Sequence, residues 1–462
     1  MAVCAYQQII KYRITAYCTQ PLHIGSATGS KEEVLIHPAD DLPFIQAASI
    51  AGVCREYFAR EYGEAAADSL FGSKESGSSR ICFTDGIFTV RPVLELRPGV
   101  RIDRRTGSCA AGKIRGTQHQ AGHKFQMEYI GAGAEFCFDI YLYDACMCRK
   151  TEHLLAAIHA GMVQFGGLKS SGCGFLKLRG ALKKVFTMTR EEDRRLWAAE
   201  HEMPADAYED ILSGPLPGAV QEQADHMCAT GCAESRYEIC VTGRTEGSML
   251  VKSIAVTDYG ENAPDCENIR NAAGEYIIPG SSLKGAVRNQ MERIADYLGC
   301  QEIIQDTFGY AKDAHGAGKA GNIVFYDTVA GDKQENDQME LSYRIHIDKF
   351  TGGVMDGGLF QEKNVAGNVE LRMSIKNRND PDRTCGLLLL ALRDLAAGLM
   401  NIGSGYSIGK GILVVSRIVI KDIRNRKEAE ITIGDDGTGT AADGQGLIAQ
   451  CLQAVHRKEE AV

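Results

Sequence analysis

Two short stretches carry the residue types that meet an anion. In IPGSSLKGAVR (278–288), Pro279 and Gly280 make a turn, Ser281 and Ser282 open a helix, and Lys284 and Arg288 sit one turn apart on it. Hydroxyls, free amides at a helix start and two cations on one face suit a phosphate or carboxylate. An ordinary helix cap with solvated basic residues has the same composition, and the motif alone does not choose. In GSGYSIGKG (403–411), Gly403, Gly405 and Gly409 let another backbone come close and expose amides, while Lys410 adds charge. A phosphodiester chain is the natural partner, with a purely structural glycine turn as the alternative. A nucleotide P-loop is excluded: the glycine it requires is Ser404, its hydroxyl residue is Gly411, and the order here is helix, loop, strand. A third group, His226, Cys228, Cys232 and Cys240, has a spacing that could wrap zinc in a loop-rich segment, without paired CxxC knuckles. Most of the sixteen cysteines are scattered singly, as reduced, buried thiols are.

The elements that position these motifs occur twice. LPFIQAASIAGVCREYF (42–58) aligns without a gap on EYIIPGSSLKGAVRNQM (275–291), matching Ile45 to Ile278, Ser49 to Ser282, Gly52 to Gly285 and Arg55 to Arg288. Each stretch continues as an amphipathic helix, closed by SLFGS or DTFGY and followed by a strand-like RICFTDG or NIVFYDT. RIDRRTG (101–107) then matches HIDKFTG (346–352), each followed by a polar excursion and an alternating strand. Last come FGGLKSSGCGFLKL and IGSGYSIGKGILVV, a helix running into a glycine loop and a strand.

Strand, helix, strand, excursion, strand, helix, strand is the order of a ferredoxin-like α+β domain, the architecture of RNA-recognition sheets. We therefore expect two tandem domains, 1–188 and 237–424. Between them lies an acidic linker, 189–236, with short helices, and after them a flexible tail, 425–462, with a short amphipathic helix. A chain of 462 residues, 44% hydrophobic and 24% charged, is long enough for two cores. No run reaches the roughly 20 apolar residues that span a bilayer, and the start does not read as a signal peptide, so the expected compartment is the cytoplasm. A net charge of −9 argues against coating nucleic acid over the whole surface but allows a local basic groove.

With IIPGSSLKGAVR, HIDKFTGG and GSGYSIGKG in that order, the second domain resembles the repeat-associated mysterious protein (RAMP) superfamily. Its likeness is to the backbone subunits of type III CRISPR effector complexes. The first domain looks like a diverged copy, with FIQAASIAG where the family pattern has IPGSSLKG. The resemblance implies subunits stacked along a guide RNA, with thumb-like insertions kinking the guide–target duplex. It also implies crRNA, single-stranded target RNA and other RAMP/Cas subunits as partners, and no membrane. The RNA-binding set then comprises Ser281, Ser282, Lys284, Arg288, Lys349, Phe350, Gly403, Gly405, Gly409 and Lys410. Its counterparts in the first domain are Ser49, Arg55, Arg104, Arg105, Gly167, Lys169 and Gly172.

Members of the family that cut target RNA carry an aspartate upstream of the IPGSS turn, which in this sequence matches Asp265. Such a carboxylate can hold a divalent cation, Mg or Mn, or position the attacking 2′-hydroxyl. Asp258, Glu261 and Glu267 crowd the same loop, so a solvated acidic loop is the competing reading. The ungapped register sets Glu32 opposite Asp265. Its side chain is one methylene longer, and the first copy can be silent.

Within the excursions, Lys113, Arg115, His119, His123 and Lys124 form a basic finger, whereas Met355, Leu359 and Phe360 are apolar enough to wedge between bases. Two other readings stay open. One is a non-catalytic RNA-binding scaffold; the other is a stand-alone guide-processing nuclease, for which His23 is the only candidate, against its reading as a packing histidine.

Overall fold

The computed structural model describes residues 6–25, 33–100, 102–103, 111–113, 120–122, 124–200, 203–213, 220–230, 234–253, 264–310, 318–331, 341–434 and 436–457. Glu32, Arg104, Arg105, Arg115, His119, His123 and Cys232 lie outside the described residues, as do the side chains of Lys113, Lys124 and Cys228. The chain divides into two compact units. The first comprises Met1–Leu94, Glu128–Lys169 and Cys173–Ala233; the second comprises Glu95–Met127, Ser170–Gly172 and Glu234–Val462.

In chain order the first repeat runs β1 (Gln8–Cys18), β2 (Phe44–Ile45), α1 (Ala47–Tyr62), α2 (Glu64–Phe71), β3 (Ile81–Phe83) and β4 (Gly86–Phe88). It continues through β5 (Leu94–Val100), a small hairpin of β6 (Ala111–Lys113) and β7 (Gln120–Gly122), β8 (Lys124–Ile130), β9 (Glu135–Leu142), α3 (Cys148–His159) and β10 (Leu176–Thr187). β1 lies between β10 and β9, antiparallel to both, and β9 pairs in turn with β3 and β4. That is the strand order of the ferredoxin-like arrangement. Alternation along β9 sends Phe136, Phe138, Ile140 and Leu142 to the helix side, where they meet Phe58 and Leu155 in one core.

Most of the described residues of the segment expected to be a linker, 189–236, belong to this unit, while 234–236 belong to the second. The segment folds as α4 (Glu191–Ala198), β11 (Glu209–Asp210) and α5 (Val220–Thr230). β11 extends the sheet beyond β10, and Ile211, Leu212, Val220, Ala224 and Met227 enter the main core. On the opposite face of the sheet, Met203 and Tyr208 join Ile9, Phe186 and Met188, with Trp197 set edge-on to Tyr141 and Phe186. Lys11 is buried there with Asp139 at 2.9 Å and Glu200 as partners. Burial alone would lower its ammonium pKa; the two carboxylates overcome that and hold it above the usual range.

The second repeat runs β12 (Ser235–Glu246), β13 (Cys266–Glu267), β14 (Ile277–Ile278), α6 (Gly280–Leu298), α7 (Glu302–Phe308), the small pair β15 (Gly309–Tyr310) and β16 (Lys319–Ala320), and β17 (Ile323–Phe325). Then come β18 (Thr328–Val329), β19 (Leu341–Ile347), β20 (Val354–Lys363), β21 (Asn368–Lys376), α8 (Pro381–Ala396) and β22 (Ile412–Asp422). The sheet again places its first strand centrally, in the order β17-β21-β12-β22. The described residues of the expected flexible tail are folded: β23 (Lys427–Ile433) and β24 (Gly439–Ala442) continue the sheet past β22, and α9 (Leu447–Val455) packs on α8. The reason is apolar burial, since Ala429, Leu447, Cys451 and Val455 lie in the core with Leu387 and Leu388.

Candidate nucleic-acid interface

The two anion motifs of the second repeat are built differently from their sequence reading. At IPGSS, Pro279 caps α6 and Gly280 begins it. The Gly280 amide donates to Asp327 Oδ1 at 2.8 Å, so a carboxylate of the chain already holds one amide that an anion would want. The first repeat repeats the lock: the Ala47 amide, aligned with that of Gly280, donates to Asp85 Oδ1 at 2.7 Å. Lys284 is folded in, its Nζ 2.7 Å from Ser170 Oγ, and burial together with the Arg288 charge lowers its pKa. Arg288 pairs with Glu292 at 2.8 Å along its own helix and lies over the Phe308 ring. Ser281 is exposed and Ser282 half-buried. The serines thus stay near the surface while both cations have partners.

In the glycine loop, Gly403, Gly405, Gly409 and Gly411 all have φ between +78° and +91°, the region a side chain resists. Gly411 could not carry a Cβ, which would sit 2.1 Å from the Ile402 carbonyl, whereas the space at Gly409 is open. Tyr406 and Ile408 project from the loop. Lys410 turns inward: it is buried, and its Nζ donates to Glu362 Oε2 at 2.6 Å and Asn364 Oδ1 at 2.7 Å. Its charge organises the loop instead of facing outward, contrary to the sequence reading.

Glu362 is the hub of this region. The buried carboxylate also pairs with Arg344 and stands 3.6 Å from Lys252. Burial alone would raise its pKa, but Lys410 and Arg344 outweigh that and hold it below the ordinary carboxylate value. Lys252 and Arg344 remain partly exposed at the edge of the cluster, giving two cations able to meet a phosphate. Neither is in a motif. They were missed because the carboxylate that assembles them is distant in sequence.

Asp265 adjoins this cluster. It is exposed, and its Oδ2 accepts the Gln361 amide at 2.7 Å, one residue before Glu362. The following residues, β13, run parallel to the end of β20. Fully buried Asn268 fastens the segment: its Oδ1 accepts from Val251 N at 2.7 Å and its Nδ2 donates to the Ile277 carbonyl at 3.2 Å. Asp265 is therefore a carboxylate steadied by a backbone amide at the root of the β19–β20 hairpin. Neighbouring Glu267 is buried near Arg270 and does not share that exposure.

HIDKFTG forms the turn of this hairpin; no separate excursion follows it. Asp348 accepts the Phe350 and Thr351 amides at 2.8 Å each, which lowers its pKa. The tip presents Phe350, 87% exposed, with the Lys349 ammonium 5.3 Å from its ring. Met355, Leu359 and Phe360 lie along β20, and Ile345 opposite Leu359 is exposed as well.

In the first repeat, Ser49 occupies the first turn of α1, and Arg55 pairs with Glu64 at 3.5 Å and with Asp68. The Gly167 amide donates to the His23 carbonyl at 2.9 Å, and Lys169 lies 3.6 Å from Glu56. Gly172 belongs to the second compact unit, where a Cβ would come within 2.5 Å of the Phe325 carbonyl. His23 is buried, its Nδ1 2.7 Å from the Glu128 carbonyl, the environment of a packing residue. Of the zinc candidates, His226 is on α5 in the first unit, and Cys240 is central in β12 of the second, paired on both sides and not in a loop. Among the described residues no three His, Cys, Asp or Glu side chains are grouped as metal ligands, and no helix is long and apolar enough to cross a membrane.

The RAMP superfamily matches this sequence over residues 15–177 and again over 251–414. No curated protein matches. Among solved structures, a chain in the cryo-EM structure of the type III-B Cmr-beta bound to cognate target RNA is similar at 20% identity with a TM-score of 0.30. The match covers 38% of the present chain and 61% of that one, under two thirds of its length.

Proposed function

The chain belongs to the RAMP superfamily, and on that premise we propose that it is a guide-RNA-binding backbone subunit of a type III CRISPR effector complex that cuts target RNA at its second repeat. Its partners are crRNA, single-stranded target RNA and other RAMP/Cas subunits. The observation that carries this reading is the setting of Asp265: an exposed carboxylate, anchored through one oxygen to the Gln361 amide, at the root of an apolar hairpin and beside a cluster that includes Lys252 and Arg344. An RNA strand crossing the root of the hairpin would meet cations for its phosphates and a carboxylate beside one of them.

A hard oxygen donor of this kind fits Mg or Mn, which keep most of their water and accept one or two carboxylates with phosphate oxygens. When bound, the ion would polarise the phosphoryl oxygen and favour attack by the 2′-hydroxyl. Asp265 would hold it, and Phe350 and Leu359 would keep bases apart near the reacting phosphate. For His226, Cys228, Cys232 and Cys240 the zinc reading rests on spacing alone.

The test is Asp265→Ala in the assembled complex with end-labelled target. Cleavage is expected to fall about a hundredfold or more with guide retention and target affinity unchanged. Undiminished cutting at every position would assign the protein to scaffolding, with cleavage performed by another subunit.

A further inference from the structure

Strand β5 is inverted. Glu95 and Arg97 are each 6% exposed, while Leu94 and Leu96 are 42% and 44% exposed. A carboxylate and a guanidinium are costly to bury unless each is paired and hydrogen-bonded, so an arrangement with polar residues inside requires partners. They are present within the second unit, to which Glu95–Met127 belongs. Arg97 Nε donates to Glu95 Oε2 at 2.8 Å, and its Nη1 lies 2.6 Å from Asp327 Oδ2.

Each of these carboxylates uses its second oxygen on a backbone amide. Glu95 Oε1 accepts from Ala272 N at 2.7 Å, and Asp327 Oδ1 accepts from Gly280 N. A single guanidinium thus fixes two acids that hold the segment 272–280 at both ends. That segment is bound to the residues that follow Asp265 and β13: Ile277 N donates to the Ile269 carbonyl at 3.0 Å, and the Ile277 carbonyl accepts from Asn268. The equivalent lock in the first repeat is simpler, since Asp85 is exposed.

We infer that Arg97 is a positioning residue for the Asp265 site, through Glu95 and Asp327, so that a strand of the first repeat completes the site of the second. This inference rests on the proposed cleavage reading for its functional consequence and on these hydrogen bonds and the Arg97–Asp327 ion pair for its structural one. It also gives the fusion of the two repeats a physical purpose: the strand and the loop it steadies are delivered in one polypeptide.

The test uses the full chain assembled with guide RNA. Arg97→Lys keeps the charge but loses the planar fork that reaches both acids. Hydrogen exchange at the Ala272 and Gly280 amides is expected to accelerate about tenfold or more while the α3 and α8 amides keep their protection. At saturating target kcat is expected to fall about a hundredfold with KM nearly unchanged, as for a misplaced reacting group. Should Arg97→Lys fail to fold, Glu95→Gln carries the test, with faster exchange at Ala272 and Gly280 still protected by Asp327. Unchanged exchange at both amides in a folded variant, or acceleration spread evenly through the core, overturns the inference. Local acceleration in a complex whose parent does not cut supports the positioning and sinks the cleavage reading alone.

Discussion

The two repeats share a sheet order but treat the outer face of that sheet in opposite ways. In the first, the segment after β10 crosses the face and seals it. Trp197, Met203 and Tyr208 cover β1, β9 and β10, and Lys11 is enclosed between Asp139 and Glu200. In the second, the chain after β22 turns aside and extends the sheet, and the outer face carries charge pairs at the surface, Arg372 with Glu370 and Arg417 with Glu430, beside the buried Ser374 and Lys376. The same topology therefore yields a closed sheet in one unit and a solvated one in the other. The choice is made by residues outside the landmarks that define the repeat.

Trp197 is the only tryptophan, so its fluorescence follows the first unit while far-UV circular dichroism follows both. The largest effect is expected from ending the chain at Ile423. Removing the buried Leu447, Cys451 and Val455 along with β23 forfeits on the order of 5 kcal/mol or more, comparable to the whole stability of many domains. The second unit should lose its cooperative dichroism transition while the Trp197 transition stays in place. A truncated chain with both transitions intact would mean that the tail is dispensable and the repeats more alike than described.

Next is Lys11→Met, which leaves Asp139 and Glu200 facing each other without their cation. We expect about 3 kcal/mol of destabilisation, seen as an earlier Trp197 transition. The matching change in the second unit, Arg417→Met, breaks a surface pair and should leave the dichroism transition unmoved. Equal responses from the two variants would erase the distinction between closed and solvated faces.

The smallest effect is on pH. Because the folded Glu362 carboxyl lies below its ordinary value of about 4.3, its contribution is complete above that value and is lost as pH falls through the folded one. Urea midpoints of the second unit should drop as pH falls below that ordinary value, and Glu362→Gln should flatten that acid limb. The first unit supplies the control, followed through Trp197.

Much of this was legible before any coordinates. The ordered landmarks located both repeats, and the period-two strands and amphipathic helices gave the ferredoxin-like order. The aspartates of RICFTDG and NIVFYDT were visible as aligned residues, but their hydrogen bonds to Ala47 and Gly280 connect positions 38 and 47 residues apart. For Lys410 the charge was evident and its direction was not, since Glu362 lies 48 residues upstream and no local pattern pairs them. The linker and tail misled for a compositional reason. Acidic PADAYED and glycine-rich GDDGTGTAADGQG dominate their windows, while the few apolar residues that enter the core are spread between them.

The ends of the two sheets carry a consequence for assembly. β11 and β2 border the first and are two residues long, while β17 and β24 border the second with three and four. Such stubs offer too few amides and carbonyls to template an incoming strand. Strand-to-strand joining at these border strands is therefore disfavoured, which leaves hairpins and loops as the readier surfaces for contact.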